Sequence, residues 1–374
     1  MPYTKEKPYH TYLKKRYLLN KKGSTKECYH LQLANELSFI PGDSVGILPH
    51  NDPVLIQKIA PYLNAPLEKV FFSSRYQKNF PLQEFLTTKA NLSKITPSLF
   101  KWLLEFSPLK KTLSHLLLPE NKFSLSIYLQ ERQIWDLFID LQVPPLEPAD
   151  FCDKLLPQLP RFYSIASSPK MYPDEIHLIV SALSYTSSGH PRHGVASHFL
   201  CHLAEIQKTP IPIYIQPSNG FTLPLDEDAS LIMIGPGTGV APYLAFMQER
   251  ESSISAGKNW LFFGERNEAA DFYYQDYWQK LQQRGKLTLT CAFSRDQQEK
   301  IYVSHRLLEH GEKVWEWLEN GAYLYVCGDA TKMARDVDLA LQEIIKIHGN
   351  LSEGEALHHL RSLRQNKRYL IDVY

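Results

Sequence analysis

The chain has little of what marks a secreted, membrane-bound or nucleic-acid-binding protein. Its five cysteines (Cys28, Cys152, Cys201, Cys291 and Cys327) are odd in number, and none stand in C-x-x-C spacing. That argues against a disulfide framework or a zinc site, and for a reducing compartment. No apolar run approaches the roughly 20 residues of a membrane-spanning helix. Residues 1–16 are polar and basic, without the apolar stretch of a secretory leader. The formal net charge is only +1, which gives no electrostatic case for nucleic acid or an anionic membrane. There is no internal repeat and no low-complexity tract. The expectation is a cytoplasmic protein with no metal site, no nucleic-acid partner and no membrane partner.

What is present suits an ordinary globular chain. Its 374 residues are 44% hydrophobic and 22% charged, enough for two or three domains with large cores. Aromatic residues reach 12%, with 21 tyrosines, and serve either cores or stacking on flat cofactors. Residues 29–33 alternate as a strand, and 39–47 read as a turn at Pro41, Gly42 and Asp43 between strand formers. Between 52 and 148 the apolar spacing turns helical, over 54–63, 82–90, 97–117 and 125–141. Pro53, Pro97 and Ser124 are the start signals, and no strand is evident there. Strand patterns return at 175–182, 211–215 and 221–223, with a Gly/Ser loop at 187–189. Strands on both sides of a helical insertion predict one interrupted β-barrel. From 229 onward, strands at 231–234, 259–263, 287–290 and 322–327 alternate with helix-length segments such as 242–251 and 332–345. That rhythm predicts a doubly wound parallel sheet, which binds ligands at the carboxyl ends of its strands.

Five stretches carry chemistry. Arg161-Phe162-Tyr163-Ser164 opens an extended run, and puts a cation, two rings and a hydroxyl close together. That set suits a ligand with a phosphate and a flat ring, and equally an edge strand with a surface Arg and a packed Tyr. Gly235, Gly237, Thr238 and Gly239 follow a strand and precede a helix opened by Pro242. Such a turn lets backbone approach a phosphate at a helix N-terminus, or is only a tight strand–helix turn. Ser294 and Arg295, with Lys300 and Tyr302, follow the third strand. Cations there suit a ribose 2′-phosphate, where an NAD site carries an acid; a solvated charged loop is the plainer alternative. Cys327 ends the fourth strand, as a ligand-touching thiol or a small buried hydrophobe. The chain ends in Asp372, Val373 and Tyr374, as a frayed tail or as an aromatic stacked on a ring.

Together and in this order, these pieces resemble the FAD/NADP(H) half of the diflavin reductases, closest to the flavoprotein component of NADPH–sulfite reductase. The resemblance runs from about residue 17 to the end, and is strong over 161–201 and 231–374. It implies a β-barrel FAD domain (1–51 and 149–226) with an α-helical insertion (52–148). An α/β doubly wound NADP(H) domain (227–374) follows, as in ferredoxin–NADP reductase. By resemblance Arg161 and the Gly194, Val195, Ala196, Ser197 loop hold the FAD pyrophosphate. Phe162, Tyr163, Ser164, Ile179, Val180 and Ser181 line the flavin, and Tyr185 meets the adenine. Tyr374 covers the ring where a nicotinamide must arrive. Ser294, Arg295, Lys300, Tyr302 and Ser304 hold the NADPH 2′-phosphate, with Asp336 near the nicotinamide half. Ser164, Cys327 and Asp372 match the family's hydride-transfer trio. Two departures stand out: Ser304 replaces a frequent Gln, and His198 is unusual just after the pyrophosphate loop.

The family carries an FMN domain of flavodoxin type before this region. The chain begins almost at the FAD domain, so the expectation is that it lacks one. It would then pass electrons to a separate acceptor, whether a flavodoxin, an FMN protein or a hemoprotein. A ferredoxin/flavodoxin–NADP⁺ reductase and a non-catalytic subunit that keeps the fold are the other readings.

Overall fold

The computed structural model describes residues 3–253 and 257–374. Met1 and Pro2, the start of the stretch read as carrying no leader, lie outside the described residues. The described strands, in chain order, are β1 (Tyr9–Thr11), β2 (Leu13–Leu18), β3 (Cys28–Ala34), β4 (Ser44–Ile47), β5 (Val70–Ser73), β6 (Lys78–Pro81), β7 (Arg161–Ser164), β8 (Glu175–Ser181), β9 (Ser184–Ser187), β10 (His190–His193), β11 (Ile211–Gln216), β12 (Leu231–Pro236), β13 (Asn259–Glu265), β14 (Thr288–Phe293), β15 (Tyr323–Gly328) and β16 (Tyr369–Val373). The chain divides into two compact units. One comprises residues 1–46, 162–181 and 206–374, and the other 47–161 and 182–205.

In the first unit, a three-stranded sheet has the order β2-β3-β8 and a four-stranded sheet the order β1-β11-β4-β7. β3 pairs antiparallel with both neighbours, and its Leu31 and Leu33 are fully buried. The turn before β4 takes Gly42 at φ +102°, and a side chain there would sit 1.8 Å from the Phe221 carbonyl oxygen. Only glycine fits, as the turn chemistry predicts. Two expectations fail nearby. Residues 39–40 are not extended into a strand, and 221–223 form no strand. Phe221 instead buries its ring against Phe246 and Tyr325, and the Thr222 carbonyl accepts from the Tyr325 hydroxyl at 2.8 Å. Apolar residues in that segment act as an anchor for coil.

The five-stranded sheet of this unit has the order β14-β13-β12-β15-β16, and every pairing is parallel. Its three inner strands, β13, β12 and β15, are apolar on both faces. Ile232, Ile234, Phe262, Leu324 and Val326 pack into one core, and Met233, Leu261, Phe263 and Tyr325 into another. Such two-sided burial is what a doubly wound parallel sheet requires. Each of these fully buried side chains contributes about 1.5–3 kcal/mol of transfer free energy. The expected four strands gain a fifth, β16, where a frayed end was one reading of the sequence. Tyr369 is 3% exposed within the core, and β16 then pairs with β15 in a register that sets Cys327 opposite Asp372.

The second unit is mainly helical. Pro53–Ile59 starts on Asp52, whose side chain accepts from the Val54 amide at 2.8 Å, with proline in the first turn. Pro97–Leu104 starts in the same way on Thr96. The long helical patterns break. The 97–117 pattern stops at Leu104, and only short turns follow from Lys110. The 125–141 pattern splits into Lys122–Gln130 and Ile134–Asp140, so the first starts before Ser124. A capping box between Gln133 and Asp136 opens the second. The hairpin β5–β6 was not expected. Its buried face is small, with Phe71 opposite Phe80, too little for a period-2 signal. The Gly/Ser loop is the tip of the hairpin β9–β10, with Ser188 and Gly189 both at positive φ.

Candidate functional site

Three strands of the first unit bring distant residues together. Ser164 ends β7, Cys327 lies near the end of β15, and Asp372 near the end of β16. The Ser164 hydroxyl donates to Asp372 Oδ2 at 2.9 Å, and Cys327 Sγ lies 4.0 Å from the same oxygen. Ser164 and Cys327 are buried. Burial pushes the Asp372 carboxyl up from its ordinary value, while the Ser164 hydrogen bond pulls it back. Burial and the neighbouring Asp372 carboxylate push the Cys327 thiol well above its ordinary value. The thiol therefore stays protonated and is no nucleophile. The cluster is a fixed anion with two neutral partners, suited to steadying positive charge on a ring.

A cavity of about 360 Å³ opens at the carboxyl ends of β12, β13, β14 and β15. Ser294, Tyr302, Ser304, Asp336 and Gly237, all singled out in the sequence, line it. Arg295 and Lys300 do not; both are exposed to solvent. The cations on its wall are Lys26, Arg266 and Lys332. Lys26 pairs with the buried Glu265, which also accepts from the Tyr273 hydroxyl at 3.1 Å. Sequence reasoning missed Lys26, because a lone lysine in a charged loop carries no signal and its partner lies 239 positions away. Asp329 also lines the wall, and accepts from the amides of Lys332 and Met333 at 2.8 and 3.2 Å. Those bonds cap the helix Met333–His348 and hold the Asp329 carboxyl below its ordinary value.

The glycine turn divides its work. Gly237, at φ +60°, is the only one of its three glycines on the cavity wall. A side chain on Gly235 would meet the Tyr243 ring at 2.5 Å, and one on Gly239 the Cys327 carbonyl oxygen at 2.1 Å. Those two positions are glycine because of crowding. Thr238, between them, lies 2.7 Å by its hydroxyl from the hydroxyl of Tyr374. Phe162 is 49% exposed and meets Tyr214 edge-on, and Tyr163 is half-buried. Ile179 and Val180 are buried within β8, leaving Ser181 exposed at its end.

Arg161, Tyr185 and residues 194–197 belong to the second unit. Gly194 precedes the helical turn Val195–His198, and Ser197 braces it by donating to the Gly194 carbonyl and accepting from the Leu183 amide, both at 3.1 Å. A side chain on Gly194 would press on Ser197 Oγ at 2.9 Å. The first-turn amides of Val195 and Ala196 have no intrahelical acceptor. Arg161 is exposed and its guanidinium donates only to the Leu159 and Pro160 carbonyls. Arg161 and Val195 both line a cavity of about 720 Å³, whose other cations are Lys94, Lys122 and Arg132, with no carboxylate on its wall. This donor set fits a diphosphate. Tyr185 is 45% exposed on β9. His198 stacks on His193 at 4.3 Å, and burial together with His193 lowers its pKa.

Residues 1–199 match the family described as FAD binding domain, and residues 233–338 the oxidoreductase NAD-binding domain. The whole chain aligns with the sulfite reductase [NADPH] flavoprotein alpha-component of Bacillus subtilis, at 39% identity over 376 residues and 62% of that protein. The counterparts of Vibrio cholerae and Aliivibrio fischeri are 39% and 38% identical, over 60% and 61% of their lengths. The chain thus spans about three-fifths of the length of these curated relatives. With a matching stretch that covers more than half of its length, the chain belongs to the FAD binding domain family, and carries an oxidoreductase NAD-binding domain after it.

Proposed function

We propose that the protein is an NADPH-dependent flavoprotein reductase that passes electrons to a separate acceptor protein. The observation that carries this reading is the Ser164–Asp372–Cys327 cluster, on strands whose neighbours carry the nucleotide cavity. FAD, when bound, would supply the redox chemistry that links a two-electron hydride donor to a one-electron acceptor. The chain's own residues do the rest. The Asp372 charge steadies the positive charge that develops on a nicotinamide as hydride leaves it. Ser164 keeps that carboxylate ionised in a buried setting, and the protonated Cys327 gives the ring a neutral wall. Within the second unit, Arg161 and the 194–197 turn supply donors for a diphosphate; within the first, Tyr163 and Tyr374 provide ring faces. Ser294, Tyr302 and Ser304, with Arg266 and Lys332 beside them, hold the nucleotide phosphates.

The name of these relatives points to sulfite reduction, and we place this chain as the electron-donating part of such a system, with a hemoprotein as acceptor. No helix among the described residues is long and apolar enough to cross a membrane, and all five cysteines are free thiols. Both fit a cytoplasmic setting. The test is anaerobic stopped-flow mixing of the FAD-loaded protein with NADPH and, separately, NADH. Fast flavin bleaching with NADPH and slow bleaching with NADH is expected. A protein that holds FAD but bleaches with neither nucleotide is not this reductase.

A further inference from the structure

His193 and His198 flank the 194–197 turn in the chain, and their rings stack on each other at 4.3 Å, 9° from parallel. The reductase reading gives neither a role. The His198 amide donates to the Gly194 carbonyl at 2.8 Å, so its main chain closes the turn. Its side chain ties the turn outward. His198 Nε2 lies 3.4 Å from Asp52 Oδ2, while Asp52 Oδ1 caps the helix Pro53–Ile59. One ring thus joins the turn to β10 on one side and to that helix on the other. Val195 of the turn lines the larger cavity with Arg161, and also a small one of about 90 Å³ bordered by Asp52, His193 and His198.

A tie made of two stacked imidazoles responds to protons. Asp52 favours a charged His198 ring, and His193 and the neighbouring His202, at 5.3 Å, oppose it. Lys58 and Arg192 border the small cavity as cations; Lys58 Nζ lies 4.2 Å from the Trp135 ring, and Arg192 donates to Asp136. His50 packs on Phe199, the residue after His198, at 4.6 Å. His198 Nδ1 is buried and has no hydrogen-bond partner among the described residues, so a second ring proton finds no acceptor there. Burial first, and His193 next, lower the His198 pKa against the pull of Asp52. The fold holds the neutral ring.

We propose that His198 is a positioning residue for the 194–197 turn, and that protonation of the stacked His193–His198 pair loosens the turn and its grip on the cofactor diphosphate. The proposal rests on the reductase reading above, which assigns that turn to a diphosphate. Two charged rings at stacking distance repel each other. Because the folded pKa of His198 is lowered, the stability it gives the turn is present above the ordinary 6.5 and is lost as pH falls through the folded value. A diphosphate ester keeps its full charge over that range, so the change in affinity comes from the protein. Simple attraction of an imidazolium to the diphosphate would act the other way and tighten binding in acid.

The experiment is dilution of the FAD-loaded protein at about pH 8 and at about pH 5, the two ends of the imidazole range, with released FAD read by its fluorescence. The readout is the ratio of the two Kd values. Acid should weaken binding by about tenfold or more, since one linked proton changes affinity up to about tenfold per pH unit. His193→Phe keeps a ring to stack and takes no charge, and His198→Gln keeps a donor for Asp52 and takes none either. Each should bring the ratio to within about twofold of one, with no further change in the double variant. An unaltered protein whose affinity is flat or tighter in acid, or a variant that keeps the full acid loss, would overturn the proposal. General acid unfolding would show itself as that same loss in both variants. If the unaltered protein holds no FAD even at the alkaline end, the reductase reading fails and takes this role of His198 with it.

Discussion

The carboxyl edge of the parallel sheet and the helical unit use buried polar groups in opposite ways. In the helical unit, Asn51 and the Arg192–Asp136 pair bond within the fold. Asn51 donates to the Leu86 and Ala90 carbonyls at 2.6 and 2.7 Å, and Arg192 donates to both oxygens of Asp136 at 2.6 Å. Asp136 also accepts from the Gln133 amide, closing a helix start. At the sheet edge, Ser164, Cys327 and Asp372 share one oxygen and leave Asp372 short of partners for its charge. Burial lifts its pKa for that reason. A polar group whose bonds are complete serves stability. A charge kept in place at a cost to stability points to chemistry.

The sharpest way to break this contrast is to exchange the expected effects. Asp136→Ala leaves the Arg192 guanidinium buried without its anion and removes half of a capping box. Loss of one partner of such a pair costs about 3–5 kcal/mol. Urea denaturation should show that loss, while the folded fraction reduces flavin at an unchanged rate. A cost below about 1 kcal/mol would remove the structural assignment. Asp372→Asn should do the reverse. Loss of one preorganised charge slows nicotinamide-driven flavin reduction by about 10²–10³-fold, read by stopped flow. Stability should not fall. The folded pKa of Asp372 is raised above its ordinary 3.8, so folding favours the protonated form. That stability is present below the unfolded pKa and lost as pH rises through the folded one. Asparagine escapes the loss, so the variant should melt at the same or a higher temperature at pH 7. The difference should vanish in acid.

The next effect concerns which cations read the nucleotide. Arg266→Ala and Lys332→Ala each remove a charge from the cavity wall. Each should cut the preference for NADPH over NADH by about tenfold, the lower end of a hydrogen bond to a charged group. Lys300→Ala, at an exposed position, should change the preference less than twofold. The reverse ranking, measured as the ratio of kcat/KM values, would return the 2′-phosphate to the loop that the sequence suggested.

That ranking also shows where the sequence was legible. The β12 turn could be read because three glycines between an apolar strand and Pro242 form a local pattern. The parallel sheet could be read because its three inner strands are apolar on both faces over several residues, and helix-length segments separate them. The trio could not be read from spacing, since Ser164 and Asp372 lie 208 positions apart and Cys327 and Asp372 45 apart. Only the register of β15 and β16 joins the latter pair, and β16 itself is short and follows a helix. Resemblance to a family supplied what pattern could not. Lys26 and the hairpin β5–β6 escaped both, because each depends on a single distant or cross-strand partner. The broken helices of the second unit had the right period, and it was the capping chemistry at Gln133 and Asp136 that decided where one stops and the next begins.

The smallest effect separates the two regions most finely, because it compares two buried serines. Ser107 donates to the Leu141 carbonyl and accepts from the Leu109 amide, so its bonds tie backbone to backbone. Ser164 donates to a carboxylate. Ser107→Ala should therefore lower stability by about 1–3 kcal/mol, the penalty for an unpaired buried acceptor, and leave the pH profile of flavin reduction in place. Ser164→Ala should shift that profile. The Ser164 hydrogen bond is the force that lowers the Asp372 pKa against burial, so its removal lets the pKa rise further. The ionised carboxylate is then lost at higher pH, and the acid limb of the NADPH-driven rate moves upward. An acid limb that stays put in Ser164→Ala, or that moves equally in Ser107→Ala, would mean that the Asp372 charge does not govern the hydride step.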